Sequence, residues 1–281
     1  MKSAPEGIGI MDKPPEPSPD ELAKQSLTKI KNKIMVMSGK GGVGKSMVTA
    51  LLARALKKQG LKIGVMDSDI TGPSMPRMLN VEKTPIKQDA TGIMPAKNPD
   101  DIPVISINLM MKNESDAVIW RGPLVSNVVK QFWTDVFWGE LDVLLVDLPP
   151  GTGDVALTVM QSMPLTGLIL VSTPHDMVSM IVKKAANMAD KLHIPVVGVV
   201  QNMVYMHCPE CGKRLPVFDD PEAREAITRT GIRELGELPL IPGLHPMDDW
   251  AKIQKPVDGI VRNVRGFLSA REQEPKKDAG K

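Results

Sequence analysis

The chain has 281 residues, a formal net charge of +2 and an apolar fraction of 42%. This near-neutral balance supplies no general pull toward nucleic acid or an anionic membrane, and the length suits one large α/β domain or two small ones. No apolar run approaches the roughly 18 residues of a membrane helix, and the N-terminus reads without a signal-peptide core. The only two cysteines lie three apart, which excludes a disulfide framework and fits a reducing, cytoplasmic home.

Residues 1–28 are rich in Pro, Gly and Ser around Pro14-Pro15-Glu16-Pro17 and read as a flexible tail. Glu21 to Lys33 has the pattern of a short amphipathic helix leading into the first strand. From Ile34 onward apolar strands alternate with helical patterns. The strands are expected at Ile34–Met37, Lys62–Met66, Val104–Ile107, Val143–Val146, Gly167–Val171, Val196–Val200 and Glu234–Leu238. Helices are expected at Ser46–Gln59, Leu124–Trp138, Val155–Met163, Met177–Leu192, Pro221–Thr230 and Val257–Ala270. Such alternation argues a mostly parallel sheet with helices on both faces, in a single domain over residues 29–270. The last helix carries Val257, Ile260, Val261, Val264, Phe267 and Leu268 on one stripe, as a helix packed on its parent sheet does. The end, residues 271–281, is a charged tail.

Gly39-Lys40-Gly41-Gly42-Val43-Gly44-Lys45-Ser46 fits the G-x-x-x-x-G-K-[ST] pattern of a phosphate-binding loop, placed between the first strand and the first helix. Backbone N–H groups of the loop, and of the helical turn that Met47 opens, would cradle a polyphosphate. Lys45 would reach its β- and γ-phosphates and the Ser46 hydroxyl would hold Mg²⁺. Ligands of parallel sheets sit at the C-terminal ends of strands. There the chain places Asp67-Ser68-Asp69 and Asp147-Leu148-Pro149-Pro150-Gly151-Thr152-Gly153-Asp154. Asp69 is expected near the γ-phosphate and also as a candidate Mg²⁺ ligand. Asp147 reads as a Walker-B aspartate binding Mg²⁺ through water. Gly151 offers a backbone N–H to the γ-phosphate.

An ordinary loop of this kind needs only Lys45, yet a second lysine, Lys40, follows the first glycine. This form resembles the deviant Walker A of dimeric ATPases, the class that includes MinD-type, partition-type, arsenite-pump and nitrogenase iron proteins. The resemblance implies a P-loop NTPase fold of the SIMIBI/MinD-like class. It also implies that Lys40 crosses a two-fold interface to the partner's nucleotide and acts as an arginine finger does.

His207-Cys208-Pro209-Glu210-Cys211-Gly212-Lys213 sets two thiolates on one tight turn, following the strand at Val196–Val200. Two thiolates are half of a tetrahedral zinc site or half of a cubane's ligand set, and a homodimer would supply the other half. Three readings stand side by side: a metal or cluster bridging two subunits, a zinc knuckle to which His207 contributes, and a redox or inert pair.

Further motifs narrow the resemblance. Gly72-Pro73-Ser74-Met75-Pro76-Arg77-Met78-Leu79, Trp120-Arg121-Gly122-Pro123, the Asp147–Asp154 loop, Gln201-Asn202-Met203 and Cys208-Pro209-Glu210-Cys211 look like the Mrp/ApbC family with its Nbp-type relatives. These are P-loop carriers of iron–sulfur clusters, and the match spans about Ile34 to Phe267. The resemblance implies a homodimer holding a labile 4Fe–4S cluster between two Cys208/Cys211 pairs. It further implies slow ATP hydrolysis coupled to cluster delivery to apo-proteins, exchange with cluster donor proteins, and Asn202 and Pro239 around the adenine. This chain departs from some relatives in having no N-terminal cysteine motif, and from the usual acidic residue in having Gln201. Two other readings remain: a MinD/ParA-like positioning ATPase with a structural zinc site at the cysteine pair, and a nitrogenase-type reductase, whose cluster cysteines lie far apart in sequence.

Overall fold

A computed structural model describes residues 29–69, 72, 74–84, 86–89, 92–110, 122–174, 178–218, 225 and 229–273. The N-terminal tail, Pro73, Trp120, Arg121, Met177, most of the helix expected at Pro221–Thr230 and the last eight residues fall outside that set. Among the described residues no helix is long and apolar enough to cross a membrane.

The chain opens with β1 (Ile30–Ser38), followed by α1 (Lys45–Lys58), β2 (Ile63–Asp67) and the one-turn α2 (Met75–Met78). Short strands β3 (Lys87–Asp89), β4 (Gly92–Met94) and β5 (Ala96–Lys97) precede β6 (Pro103–Ser106). Then come α3 (Gly122–Thr134), β7 (Leu141–Asp147), α4 (Asp154–Ser162), β8 (Gly167–Ser172) and α5 (Val178–Lys191). Last are β9 (Val196–His207), β10 (Arg214–Pro216), β11 (Glu234–Pro239) and α6 (Trp250–Gln273). Among the described residues nine strands form one sheet in the order β10-β9-β8-β1-β7-β2-β6-β5, with β11 also on β9. Pairing is parallel from β6 through to β9 and β11, and antiparallel at β5 and β10. The expected mostly parallel, two-faced sheet is therefore present.

The alternation of side chains along each strand divides the core into two layers. Ile34 and Val36 of β1, Ile63 and Val65 of β2, and Val143 and Leu145 of β7 pack toward α1 and α6. Met35 and Met37, Met66, and Leu144 and Val146 pack on the opposite face, with α3, α4 and α5. The same parity carries Asp67 and Asp147 to the α1 face, and the register sets them directly side by side (Asp67↔Asp147). Strand parity thus delivers two carboxyls to the face that carries the phosphate-binding loop.

Several expected boundaries move, each for a physical reason. Ile30 to Lys33 belong to β1 rather than to a helix, because Ile30 is buried and pairs with Leu141 of β7. Helix α3 stops at Thr134, and the chain past it bridges Val136 to Ile93 while Trp138 Nε1 donates to Phe132 O. Helix α6 begins at Trp250, about two turns before the Val257 expected from the sequence. Pro256 removes one intrahelical donor, but Ile253, Val257 and Ile260 line up across it and their burial holds the helix together. Strand β9 continues through Gln201-Asn202-Met203 as far as His207, and β10 folds back on it.

Candidate functional site

Between β1 and α1 the loop turns through Gly42 and Gly44, at φ 82° and 81°, left-handed values open to glycine. Gly44 also has no room for a side chain, since a Cβ there would stand 2.2 Å from Asn202 Nδ2. Ser38 Oγ donates to Lys40 O at 3.0 Å, while the Lys40 side chain is exposed. Lys45, the first residue of α1, is buried and places Nζ 2.6 Å from Asp147 Oδ2 and 4.0 Å from Asp69 Oδ2. Ser46 Oγ donates to the same Asp147 Oδ2 at 2.6 Å. Thr49, one turn on and fully buried, sets Oγ1 2.8 Å from Asp147 Oδ1 and 3.0 Å from Lys45 O. The Asp147 carboxylate is thus gripped on both oxygens from a single helical turn.

Asp67 stands beside it, almost fully buried. Desolvation, and then the charge of Asp147, push its carboxyl from the ordinary 3.8 up to about 8. The Asp69 amide at 3.1 Å and Ser106 Oγ at 3.0 Å donate to Asp67 and offset part of that rise. Asp69 is also buried and accepts from the Gly72 amide at 3.3 Å. Gly151, expected to reach a γ-phosphate, here donates its N–H to Ser38 O at 2.8 Å, which ties its loop to the end of β1.

On the other side of the phosphate-binding loop is an apolar cavity of about 320 Å³, lined by Met47, Met203, Pro239, Ile241 and Leu244 among others, with Gly44 and Asn202 at its wall. Its size and lining suit a flat heteroaromatic ring. Asn202 donates Nδ2 to Val43 O at 2.9 Å, fixing the loop to β9. The residues expected around the base, Asn202 and Pro239, therefore meet at one cavity, together with Met47 of the nucleotide-binding set.

The cysteines sit at the tip of the β9–β10 hairpin. The turn is closed by Cys208 N–H to Lys213 O and Gly212 N–H to Cys208 O, both 2.9 Å. Backbone N–H groups of Cys211 and then Glu210, followed by the Cys211 thiol, hold the Cys208 thiol below its ordinary range. His207 turns Nδ1 to Gly212 O at 3.0 Å and packs edge-on against Tyr205. Among the described residues no group of three or more His, Cys, Asp or Glu side chains is arranged to hold a metal ion. His207 is accordingly not gathered with the cysteines into a ligand set.

Sequence reasoning missed Thr49, Asp67 and Ser106 at the phosphate side, and Tyr205 and Arg214 at the hairpin. Thr49 was detectable, since it lies four residues past Lys45 on the same helical face. Asp67 ends a strand of fixed parity, but Ser106 needed knowledge that β6 lies beside β2.

A strand, a glycine loop with two lysines, a helix and a strand-end aspartate in this register define a P-loop nucleotide-binding protein of the MinD-like class. A family model described as the NUBPL iron-transfer P-loop NTPase matches residues 29–265, and the chain belongs to that family. An iron–sulfur cluster carrier protein of Clostridium perfringens is 51% identical over 218 residues, 75% of this chain and 76% of its own. A cytosolic Fe–S cluster assembly factor, a NUBP2 homolog of Trichoplax adhaerens, is 39% identical over 80% of this chain and 87% of its own. A nucleotide-binding protein of Archaeoglobus fulgidus, solved in complex with ADP, is 38% identical with a TM-score of 0.70 over 93% of this chain and 99% of that one. The cell division ATPase MinD of Pyrococcus furiosus shares the fold, at TM-score 0.58 and 21% identity over 85% of this chain and 100% of its own. The Mrp-type cluster-carrier resemblance of the motifs and the family membership agree.

Proposed function

We propose that this protein binds and slowly hydrolyses Mg–ATP and, as a homodimer, carries a labile 4Fe–4S cluster between two Cys208/Cys211 pairs for delivery to apo-proteins. The observation that carries this reading is the cysteine hairpin itself. Its two soft ligands, one with a lowered thiol, stand on the turn that follows the strand whose Asn202 fastens the phosphate-binding loop. Two ligands cannot complete a cluster, so the reading requires a second copy.

The phosphate side supplies its own chemistry. Lys45 leaves Asp147 for the β- and γ-phosphates, and Ser46 and Asp147 are the residues that would hold Mg²⁺. Their shared 2.6 Å contact brings both groups to one point, which fits that role. Held there, Mg²⁺ would supply neutralisation of the charge that develops on the transferring phosphoryl group. Thr49 keeps Asp147 aimed after Lys45 departs. Asp69, on the far side of Lys45, faces the γ-phosphate region, and Lys40 of each protomer completes the other's site. Gly151 exchanges Ser38 O for a γ-phosphate oxygen, so its loop responds to hydrolysis.

The test is anaerobic reconstitution with iron and sulfide, for the native sequence and for Cys208→Ala/Cys211→Ala. About four irons and four sulfides per dimer, with a visible chromophore lost in the double variant, is the expected result for a cluster held by two cysteines from each protomer. Tightly held zinc that iron and sulfide do not displace would overturn it, in favour of a positioning-type ATPase with a structural clasp.

A further inference from the structure

The strand between nucleotide loop and cysteines is not regular. Glu237 of β11 pairs with Gln201 of β9, and Pro239 with Tyr205, so two steps along β11 match four along β9. The surplus is a bulge at residues 202–204, where Met203 takes the left-handed φ of 59°. This bulge is the part of β9 that touches the nucleotide site, through Asn202 on Val43 O and Met203 in the cavity wall. Immediately beyond it, Tyr205 O accepts from Leu240 N–H at 2.7 Å, so the cavity wall and the base of the hairpin share a hydrogen bond.

Arg214 closes this arrangement. It opens β10 opposite His207, next to Lys213, whose carbonyl holds the Cys208 amide. Its guanidinium lies 3.5 Å from the centre of the Tyr205 ring and 3.7 Å from Glu237. Tyr205 follows the bulge, and Glu237 precedes the cavity-lining segment 238–241. One side chain therefore touches both strands that leave the cavity, while its backbone adjoins the cysteine turn. More than half of the Arg214 side chain is exposed, and so is about a third of Glu237, so the ion pair is weak and easily re-set.

We infer that Arg214 is the positioning residue of the cysteine pair, conveying to it the state of the base cavity. A purine entering between Met203 and the 238–241 segment displaces the bulge relative to β11. Arg214, held by Tyr205 on one side and Glu237 on the other, turns that displacement into a change in the set of the Cys208–Lys213 turn. The inference rests on the proposed function for its meaning, because the pair it positions is there the cluster's ligand.

The experiment measures the alkylation rates of Cys208 and Cys211 by iodoacetamide in the reduced, metal-free full-length protein, read by mass spectrometry. Rates are compared with and without Mg²⁺ and a non-hydrolysable ATP analogue, whose affinity is measured separately. The native sequence should change rate about fivefold or more on binding the analogue, the lower end of ordinary coupling between sites. Arg214→Gln and, independently, Glu237→Gln should lose most of that response while binding the analogue with unchanged affinity, and Arg214→Lys should recover part of it. A native protein whose cysteines ignore the analogue, or variants that respond as the native protein does, would overturn the inference. Iron, sulfide and zinc bound after anaerobic reconstitution of the same proteins separate the two readings. A coupled pair that holds only zinc removes the cluster proposal and leaves the role of Arg214 standing.

Discussion

Thr49 Oγ1 stands 2.8 Å from Asp147 Oδ1, while Lys45 and Ser46 share the other oxygen of that carboxylate. A threonine hydroxyl has one proton, and its alternative acceptor, Lys45 O at 3.0 Å, belongs to the helix itself. Donation to the carboxylate leaves Oδ2 facing Ser46, the side where a metal would stand. Thr49 thus decides which oxygen of Asp147 is presented.

Thr49→Val keeps the shape and removes the donor, leaving a buried carboxylate oxygen short of one partner. Such a loss costs about 1–3 kcal/mol. The expected outcome is a roughly tenfold rise in the Mg²⁺ concentration that half-saturates ATP hydrolysis, restored by Thr49→Ser. A Mg²⁺ titration of the valine variant that superimposes on the native curve would show that Asp147 is oriented by other means.

Asp67 makes a pH-dependent prediction. Its carboxyl is raised from 3.8 to about 8 in the folded protein, mainly by burial and then by Asp147. The folded state therefore binds this proton more tightly than the unfolded state does. The stability it contributes is fully present below 3.8 and is lost as pH rises toward about 8. The slope of that loss is at most about 1.4 kcal/mol per pH unit. Asp67→Asn should flatten the fall in urea stability between about pH 5 and 7.5 relative to the native chain. A bound divalent cation beside Asp147 would reverse the electrostatics, so Mg–ATP binding near pH 7 should expel up to about one proton. Calorimetry in buffers of different ionisation enthalpy reads this directly, and Asp67→Asn should abolish it. Equal proton release by both proteins would place the titration elsewhere.

The sequence made the phosphate side legible because its chemistry is local. Gly39 to Ser46 are contiguous, and the apolar runs on either side fix what is strand and what is helix. Strand parity then places Asp147. Legibility fails where partners come from distant segments. Ser106 reaches Asp67 only because β6 pairs with β2, and Arg214 reaches Glu237 only because β10 and β11 both meet β9. It fails also where one signal stands for two structures. The helix is expected to start at Val257, just after Pro256, yet the buried stripe from Ile253 to Val264 runs through the proline. Gln201-Asn202-Met203 reads as the chain leaving a strand, whereas it leads into a bulge inside one.

Asn202 joins two such distant segments, and its loss should be felt without any nucleotide. Asn202→Ala removes the donor to Val43 O and leaves a buried loop carbonyl unpaired. The cost is about 1–3 kcal/mol. A domain of this size loses roughly 2–4 °C of Tm per kcal/mol, so a fall of several degrees is expected in the absence of nucleotide. ATP affinity should fall as well, since the cavity wall and the phosphate-binding loop lose their common anchor. An unchanged Tm with weakened ATP binding would make Asn202 a ligand contact only.

In the proposed dimer, Lys40 is the residue whose role depends most on assembly. Its backbone is tied down by Ser38, yet its side chain is exposed, as the proposed role toward a second copy requires. Lys40→Ala should bind ATP within about twofold of the native protein and lose hydrolysis by a factor on the order of 10³, the range of trans-acting cationic fingers. Lys45→Ala should be inactive for a different reason, having lost its own phosphate contact. Mixing the two variants then distinguishes action in trans from action in cis. In a mixed dimer, the Lys40→Ala protomer keeps its own Lys45 and receives Lys40 from its partner, so one site is whole. Activity regained on mixing two inactive proteins is the expected result. If the mixture stays as silent as its components, Lys40 acts within its own chain and hydrolysis does not depend on a two-fold partner.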